Sequence, residues 1–204
     1  MPTSLTNKTA RTAVSNRSEE VLEALEKLIL AEGFSRLNVS DIAARLSCSK
    51  RTLYELAPSK NELVLNVLDG FFRRIRHQAA RATDAKMGPE RQVLEYLQVG
   101  VVAAERLSAA ALADIHRWEP ARLIWQEHVR LRVEGLRRII ENGVKEGVFR
   151  DVRPAFVAEI VFASINRLRE PDFYLSTDLT ISEAFHELYG MLLKSLTHQP
   201  SNSA

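Results

Sequence analysis

Lys50, Arg51, Thr52 and Tyr54 bring two cations and two hydroxyls together within about one and a half helical turns, and Ser59 and Lys60 follow just past Pro58. Side chains of these types neutralise phosphates and donate to phosphate oxygens, and an arginine can also bond the edge of a guanine. No grouping of catalytic type competes with them. The chain has no Gly-x-Ser-x-Gly, no Walker sequence and no glycine pattern for a dinucleotide. His116 and Glu119 at i, i+3 could begin a metal site with His128 joining from another helix, but clustered ligand spacing is absent. The reading is therefore a nucleic-acid binder, not an enzyme, with no cofactor and no metal.

Those side chains need a scaffold that presents a helix end. Asn38 and Asp41 have the spacing of a capping box for one short helix, and Ser49 can cap a second over Lys50–Leu56, which Pro58 ends. Ile42, Ala43 and Leu46 form the inner face of the first, with Ala43 small enough for a steep crossing. Four residues on, Ser47 falls where a tight turn needs tolerance of positive φ, and Leu53 plugs the second helix into the same core. Small residue, turn residue and plug in this order make a helix-turn-helix. Any capped helical bundle could carry parts of this pattern; cations and hydroxyls collected on one helix end favour the DNA reader. Ser59 and Lys60 stand at the start of the next helix, where backbone N–H groups and the dipole favour an anion.

The bulk of the chain agrees. It has 204 residues, 46% hydrophobic and 26% charged, with Gly and Pro sparse and little period-two alternation, which predicts an all-α protein. No apolar run is long enough to cross a bilayer, no signal peptide is legible, and a single cysteine suits a reducing cytoplasm. Cys48 reads as a small apolar residue in preference to a redox sensor. Net charge is only +2, but Lys8, Arg11 and Arg17 form a basic N-terminal stretch.

Residues 1–15 are Thr/Ser/Asn-rich and aperiodic and predict a disordered arm. A first helix is expected from Asn16, capped with Glu19 and stopped at Gly33. A fourth opens at Ser59 and Glu62 with Leu63, Val64, Val67, Leu68, Phe71, Phe72 and Ile75 inward. This divides the chain into an arm (1–15), a helix-turn-helix domain (16–62), a connecting helix (63–86) and a larger helical domain (87–204) that begins after Met87-Gly88-Pro89. Later helices are expected near 90–105, 107–117, 120–146, 154–169 and 180–197. Gly143 and Gly147 mark the end of the third of these, Glu170–Leu179 forms a loop, and Thr180 with Glu183 caps the last.

With these motifs the chain resembles a TetR-family transcriptional regulator. Ala31-Glu32-Gly33-Phe34 matches the end of that family's first helix. Asn38 through Ile42-Ala43 matches its Thr-x-x-x-Ile-Ala, and Ser47 through Leu53-Tyr54 its Gly-Val-Ser-x-x-x-Leu-Tyr. Ala57-Pro58-Ser59-Lys60-Asn61-Glu62-Leu63 matches its Phe-x-Ser-Lys-x-x-Leu. The resemblance covers about residues 17–72 and implies DNA contacts at Lys50, Arg51, Thr52, Tyr54 and Lys60. Ser47 replaces the usual turn glycine, at roughly 1 kcal/mol if its φ is positive. Ala57 replaces an aromatic, which weakens packing of the third helix, and Leu56 replaces a common His or Tyr.

The resemblance further implies a C-terminal domain that binds a small effector and dimerises through its last two long helices. The sequence is compatible: both are apolar over much of their circumference, which requires burial of more than one face. Phe156, Ile160, Phe162, Ile165, Phe185, Leu188 and Leu192 are the expected interface residues. Tyr96, His116, Trp118, Arg122, Trp125 and His128 are candidates for the effector pocket, with Arg117 or Arg122 facing an anionic group. The expected function is a homodimeric, ligand-released repressor of an operator on double-stranded DNA. The alternatives are an activator of the same build and a helical interaction or scaffold protein that has lost DNA binding.

Overall fold

The structure, a computed structural model, describes residues 5–83, 86–168, 173 and 177–198, with side chains described from Arg17 onward except at 181 and 182. Among the described residues it is helical throughout. The helices are α1 (Leu5–Glu32), α2 (Val39–Arg45), α3 (Lys50–Leu56), α4 (Lys60–Ala82), α5 (Pro89–Glu105), α6 (Ala109–Arg117), α7 (Glu119–Lys145), α8 (Pro154–Arg167) and α9 (Ile181–Leu196). A long α1 and two short helices, α2 and α3, precede the long α4, and further helices follow, the all-α architecture expected from the sequence.

The chain divides into two compact units. The first comprises Met1–Arg73 and Arg106–Trp125. Its α4 contributes Leu63, Val64, Val67, Leu68, Phe71 and Phe72, all buried, as the helical spacing required. Residues 106–125 lie beyond the break at Met87–Pro89, yet they belong to this unit because their bonds are to it. Ser108 N–H donates to the Leu30 carbonyl at 2.9 Å. Arg106 pairs with Glu26 at 2.8 Å and lies 5.0 Å from the Phe71 ring centroid.

The second unit comprises Arg74–Glu105 and Gln126–Ala204. Its core is one cluster that includes Val93, Tyr96, Leu97, Leu136, Ile140, Phe149, Phe162, Phe185 and Leu196. In it α9 packs against α5 and α8, and a single antiparallel bridge joins Phe149 to Thr197.

Most local signals held. Asn38/Asp41 and Thr180/Glu183 form reciprocal capping boxes, Ser49 accepts the Thr52 N–H, Ser59 accepts the Glu62 N–H, and Gly33 ends α1 with φ +79°.

Three expectations did not hold. The first helix starts at Leu5, not at Asn16, so residues 5–15 of the expected arm are helical and Asn16 is interior. No Gly or Pro interrupts Leu5–Glu32, so nothing in the backbone stops propagation there. Residues 1–4 lie outside the described residues. Gly143 does not end α7; it lies inside the helix, where a Cβ would fall 2.2 Å from Phe149 Cδ2. It makes room for that ring, and the stop is Gly147 at φ +70°. Finally, most of Glu170–Leu179 is outside the described residues, but Phe173 and Thr177 within it are helical, not loop.

Candidate nucleic-acid interface

The turn between α2 and α3 closes by backbone bonds. Cys48 N–H donates to the Ala43 carbonyl at 3.0 Å and Ser47 N–H to the Ala44 carbonyl at 3.3 Å. With Ser47 at φ +50° this is a Schellman closure in its usual register. Gly147 closes α7 in the same way, with Val148 N–H on the Gly143 carbonyl. The first of these two motifs therefore carries a side chain where the second carries none. Ala43 and Ile42 are buried under the turn, and Leu53, 2% exposed, anchors α3 from the other side.

With Leu53 turned inward, helical geometry sends its neighbours out. Lys50 and Arg51 are exposed, and Tyr54 is 52% exposed although it is a large aromatic. Thr52 is half-buried and shares a 2.9 Å hydroxyl–hydroxyl bond with Ser49, which orients its side chain at the first turn. Arg51 donates Nε–H to Glu55 Oε1 at 2.9 Å. The pair is solvent-exposed and therefore weak, so a phosphate can compete for the guanidinium. Ser59 and Lys60 are half-buried at the start of α4. Ala57 is buried at the α3 C-cap, in extended backbone. Cys48 is partly buried and lines a groove with Arg17, Glu20, Val21, Ala24, Leu46 and Ser47.

The helix-turn-helix is held on its far side by α6. Asp114 is buried, and its Oδ2 accepts the N–H of Phe34 at 2.7 Å and of Ser35 at 2.8 Å. Burial pushes this carboxyl up, but the bonds from Ser35 and Phe34 outweigh it and hold the group below the usual carboxylate value. Gly33 is required for the approach: a Cβ there would stand 2.6 Å from Asp114 Oδ2.

The six pocket candidates are shared between the units. His116, Trp118, Arg122 and Trp125 lie in the first, Tyr96 and His128 in the second. Trp118 packs edge-on against Phe34 at 5.8 Å and Trp125 against Phe72 at 5.4 Å. His116, Arg117 and Arg122 are exposed. In the second unit Tyr96 and His128 are buried. Beside Tyr96 lies a residue the sequence reading passed over. Arg132 is 3% exposed, and its Nη2 donates to the Tyr96 carbonyl at 2.8 Å. A signal for it existed. Trp125, His128, Arg132, Leu136 and Ile139 follow one stripe of α7, so an arginine stood at a core position.

The expected interface residues divide by helix face. Phe162, Ile165, Phe185 and Leu192 are buried in the core of their own unit and are not available to a partner as placed. Phe156, at 65%, and Ile160, at 51%, are exposed, as is Met191 at 67%. With Leu188 these line an apolar groove of about 450 Å³ between α8 and α9. A helix apolar all round does not reveal which stripe its own core takes.

Among the described residues no helix is long and apolar enough to cross a membrane, and no cluster of His, Cys, Asp and Glu could hold a metal ion.

Comparison with known proteins agrees with this geometry. Residues 21–67 match the sequence profile described as "Bacterial regulatory proteins, tetR family". The uncharacterized HTH-type transcriptional regulator YvaF of Bacillus subtilis is 24% identical over 184 residues, covering 88% of this chain and 95% of that protein. A transcriptional regulator from Saccharomonospora viridis, solved in complex with choline, superposes with a TM-score of 0.75 at 16% identity over 91% of this chain and all (100%) of that one. A TetR-family regulator from Agrobacterium tumefaciens gives 0.71 at 17% identity over 91% and 100%. The ketosteroid transcriptional regulator KstR2 of Mycobacterium tuberculosis gives 0.63 at 19% identity over 90% and 96%. With a capped helix-turn-helix at the matched residues, this part of the chain is similar to the bacterial transcriptional regulators of the TetR family.

Proposed function

We propose that the protein is a homodimeric repressor that holds an operator through α3 and leaves it when a small molecule binds. The observation that carries the reading is the outward face of α3: Lys50, Arg51 and Tyr54 exposed opposite a buried Leu53. In this reading α3 enters the major groove. Lys50 and Lys60 neutralise phosphates, Thr52, Tyr54 and Ser59 donate to phosphate oxygens, and Arg51 bonds a phosphate or a guanine edge. Residues 16–62 are the DNA-binding domain, 63–86 the connecting helix and 87–204 the effector and dimerisation domain. Trp125 and Arg122 then serve the first unit, while Tyr96 and His128 belong to the effector site. The exposed groove at Phe156, Ile160, Leu188 and Met191 supports a second copy as partner, and two copies place two heads on adjacent half-sites. An effector that binds the operator-free state more tightly releases the DNA. The choline complex of a similar fold supports a small-molecule site of this kind.

Gel shifts with genomic fragments, repeated on a protein carrying Arg51→Ala and Tyr54→Ala, test the reading. Saturable, salt-sensitive binding that the double variant loses is the expected result. Unchanged affinity in the double variant refutes these contacts, and no binding to any fragment points to a scaffold that has lost DNA binding.

A further inference from the structure

Arg132 lies in the core of the second unit, one turn beyond the buried His128 on α7. Its guanidinium sits 4.1 Å from the centroid of the Tyr96 ring and 5.9 Å from that of Phe162. Its Nη2 donates to the Tyr96 carbonyl at 2.8 Å, and the Tyr96 hydroxyl donates back to the Arg132 carbonyl at 2.9 Å. Nη1 is buried with no hydrogen-bond partner, and no carboxylate among the described residues pairs with the group.

Two glycines make this arrangement possible. A Cβ at Gly100 would come 2.9 Å from Arg132 Nη2, and one at Gly135 would come 2.1 Å from the Tyr96 hydroxyl oxygen. The pair is therefore built into the crossing of α5 and α7. A guanidinium stays charged in a protein, and burial works against that charge. Stacking on Tyr96 and one carbonyl bond offset part of the cost, but an uncompensated buried charge is otherwise strongly unfavourable. Buried polar atoms are almost always partnered, so the free N–H groups of Nη1 call for an acceptor.

We propose that Arg132 is the anion anchor of the effector site, and that the effector is a monocarboxylate with an apolar body. This rests on the effector reading given above and names the ligand class of that site. A single negative charge matches the single positive one. The two N–H groups of Nη1 suit a carboxylate oxygen, whereas a phosphate dianion brings a second negative charge that this one guanidinium does not offset. The body of the molecule lies against the apolar side chains of the same core, Phe162 among them. The same charge repels a quaternary ammonium such as choline.

Calorimetric titration of the full chain with octanoate, octan-1-ol and choline tests the proposal. Octanoate binds saturably and at least about tenfold more tightly than octan-1-ol, and choline does not bind. Arg132→Met lowers octanoate affinity roughly tenfold to a hundredfold and leaves octan-1-ol little changed, with helix content followed by circular dichroism. If Arg132→Met does not fold, Gly100→Ala displaces the guanidinium without removing its charge, and octanoate affinity falls there too. Octanoate no tighter than octan-1-ol, or full octanoate affinity in a folded variant, overturns the anchor. A gel shift with the same proteins separates the two readings. Octanoate that binds through Arg132 yet leaves operator affinity unchanged upholds the anion site and refutes release by effector.

Discussion

Asp114 reaches from α6 to the end of α1 and takes the backbone N–H of Phe34 at 2.7 Å. The same oxygen takes Ser35 N–H at 2.8 Å, and Gly33 leaves the space for it. One carboxylate thus fixes the loop that leads into the helix-turn-helix. Asp114→Ala leaves two N–H groups without their charged acceptor and lowers stability by about 3 kcal/mol, measured by urea unfolding.

The same group sets a pH dependence. Its carboxyl is held below its unfolded-state value, so its contribution is complete above about pH 4 and fades as pH falls through the lower folded-state value. The stability difference between wild type and Asp114→Asn therefore shrinks as pH falls below about 4. A difference that grows on acidification contradicts the assignment.

Ser47 occupies the left-handed position of a closure that Gly147 occupies elsewhere in the same chain. The Cβ is unfavourable at this φ. Ser47→Gly is expected to raise stability by about 0.5–1 kcal/mol, with operator affinity equal or higher. Thermal unfolding and a gel shift read the two effects.

Glu55 holds Arg51 on the exposed face of α3. If Arg51 meets DNA, Glu55→Gln frees it and removes a charge that repels phosphate, so operator affinity rises. Arg51→Ala lowers it and reduces the slope of log affinity against log salt by about one. Binding titrations at several salt concentrations separate these outcomes.

Phe156, Ile160 and Met191 are exposed in their unit, while Phe185 is 2% exposed. If two copies pair as proposed, Ile160→Glu is expected to separate them and leave helix content intact, read by sedimentation velocity and circular dichroism. Phe185→Ala is expected to cost about 3–5 kcal/mol in unfolding, because it empties core volume. An Ile160→Glu protein that remains dimeric moves the interface elsewhere.

The sequence by itself determined the all-α class, the helix-turn-helix and most helix ends. Those depend on contacts three or four residues apart: Asn38 with Asp41, Ser49 with Thr52, Thr180 with Glu183. They are local, so their spacing is visible in the chain. Ser47 was legible for the same reason, since a turn must reverse there and its φ is indeed positive. Only the tertiary structure decided which stripe of an all-apolar helix faces its own core. It buried Phe162 and Leu192 and left Phe156 and Ile160 outside. It alone set Asp114 under Phe34 and Arg132 over Tyr96, residues far apart in the chain. It also turned Gly143 from a helix stop into a seat for Phe149. For Asp114 and Arg132 the deciding partner comes from outside their own helix, and Phe149 lies past the end of α7; local spacing carries no record of where such a partner folds back.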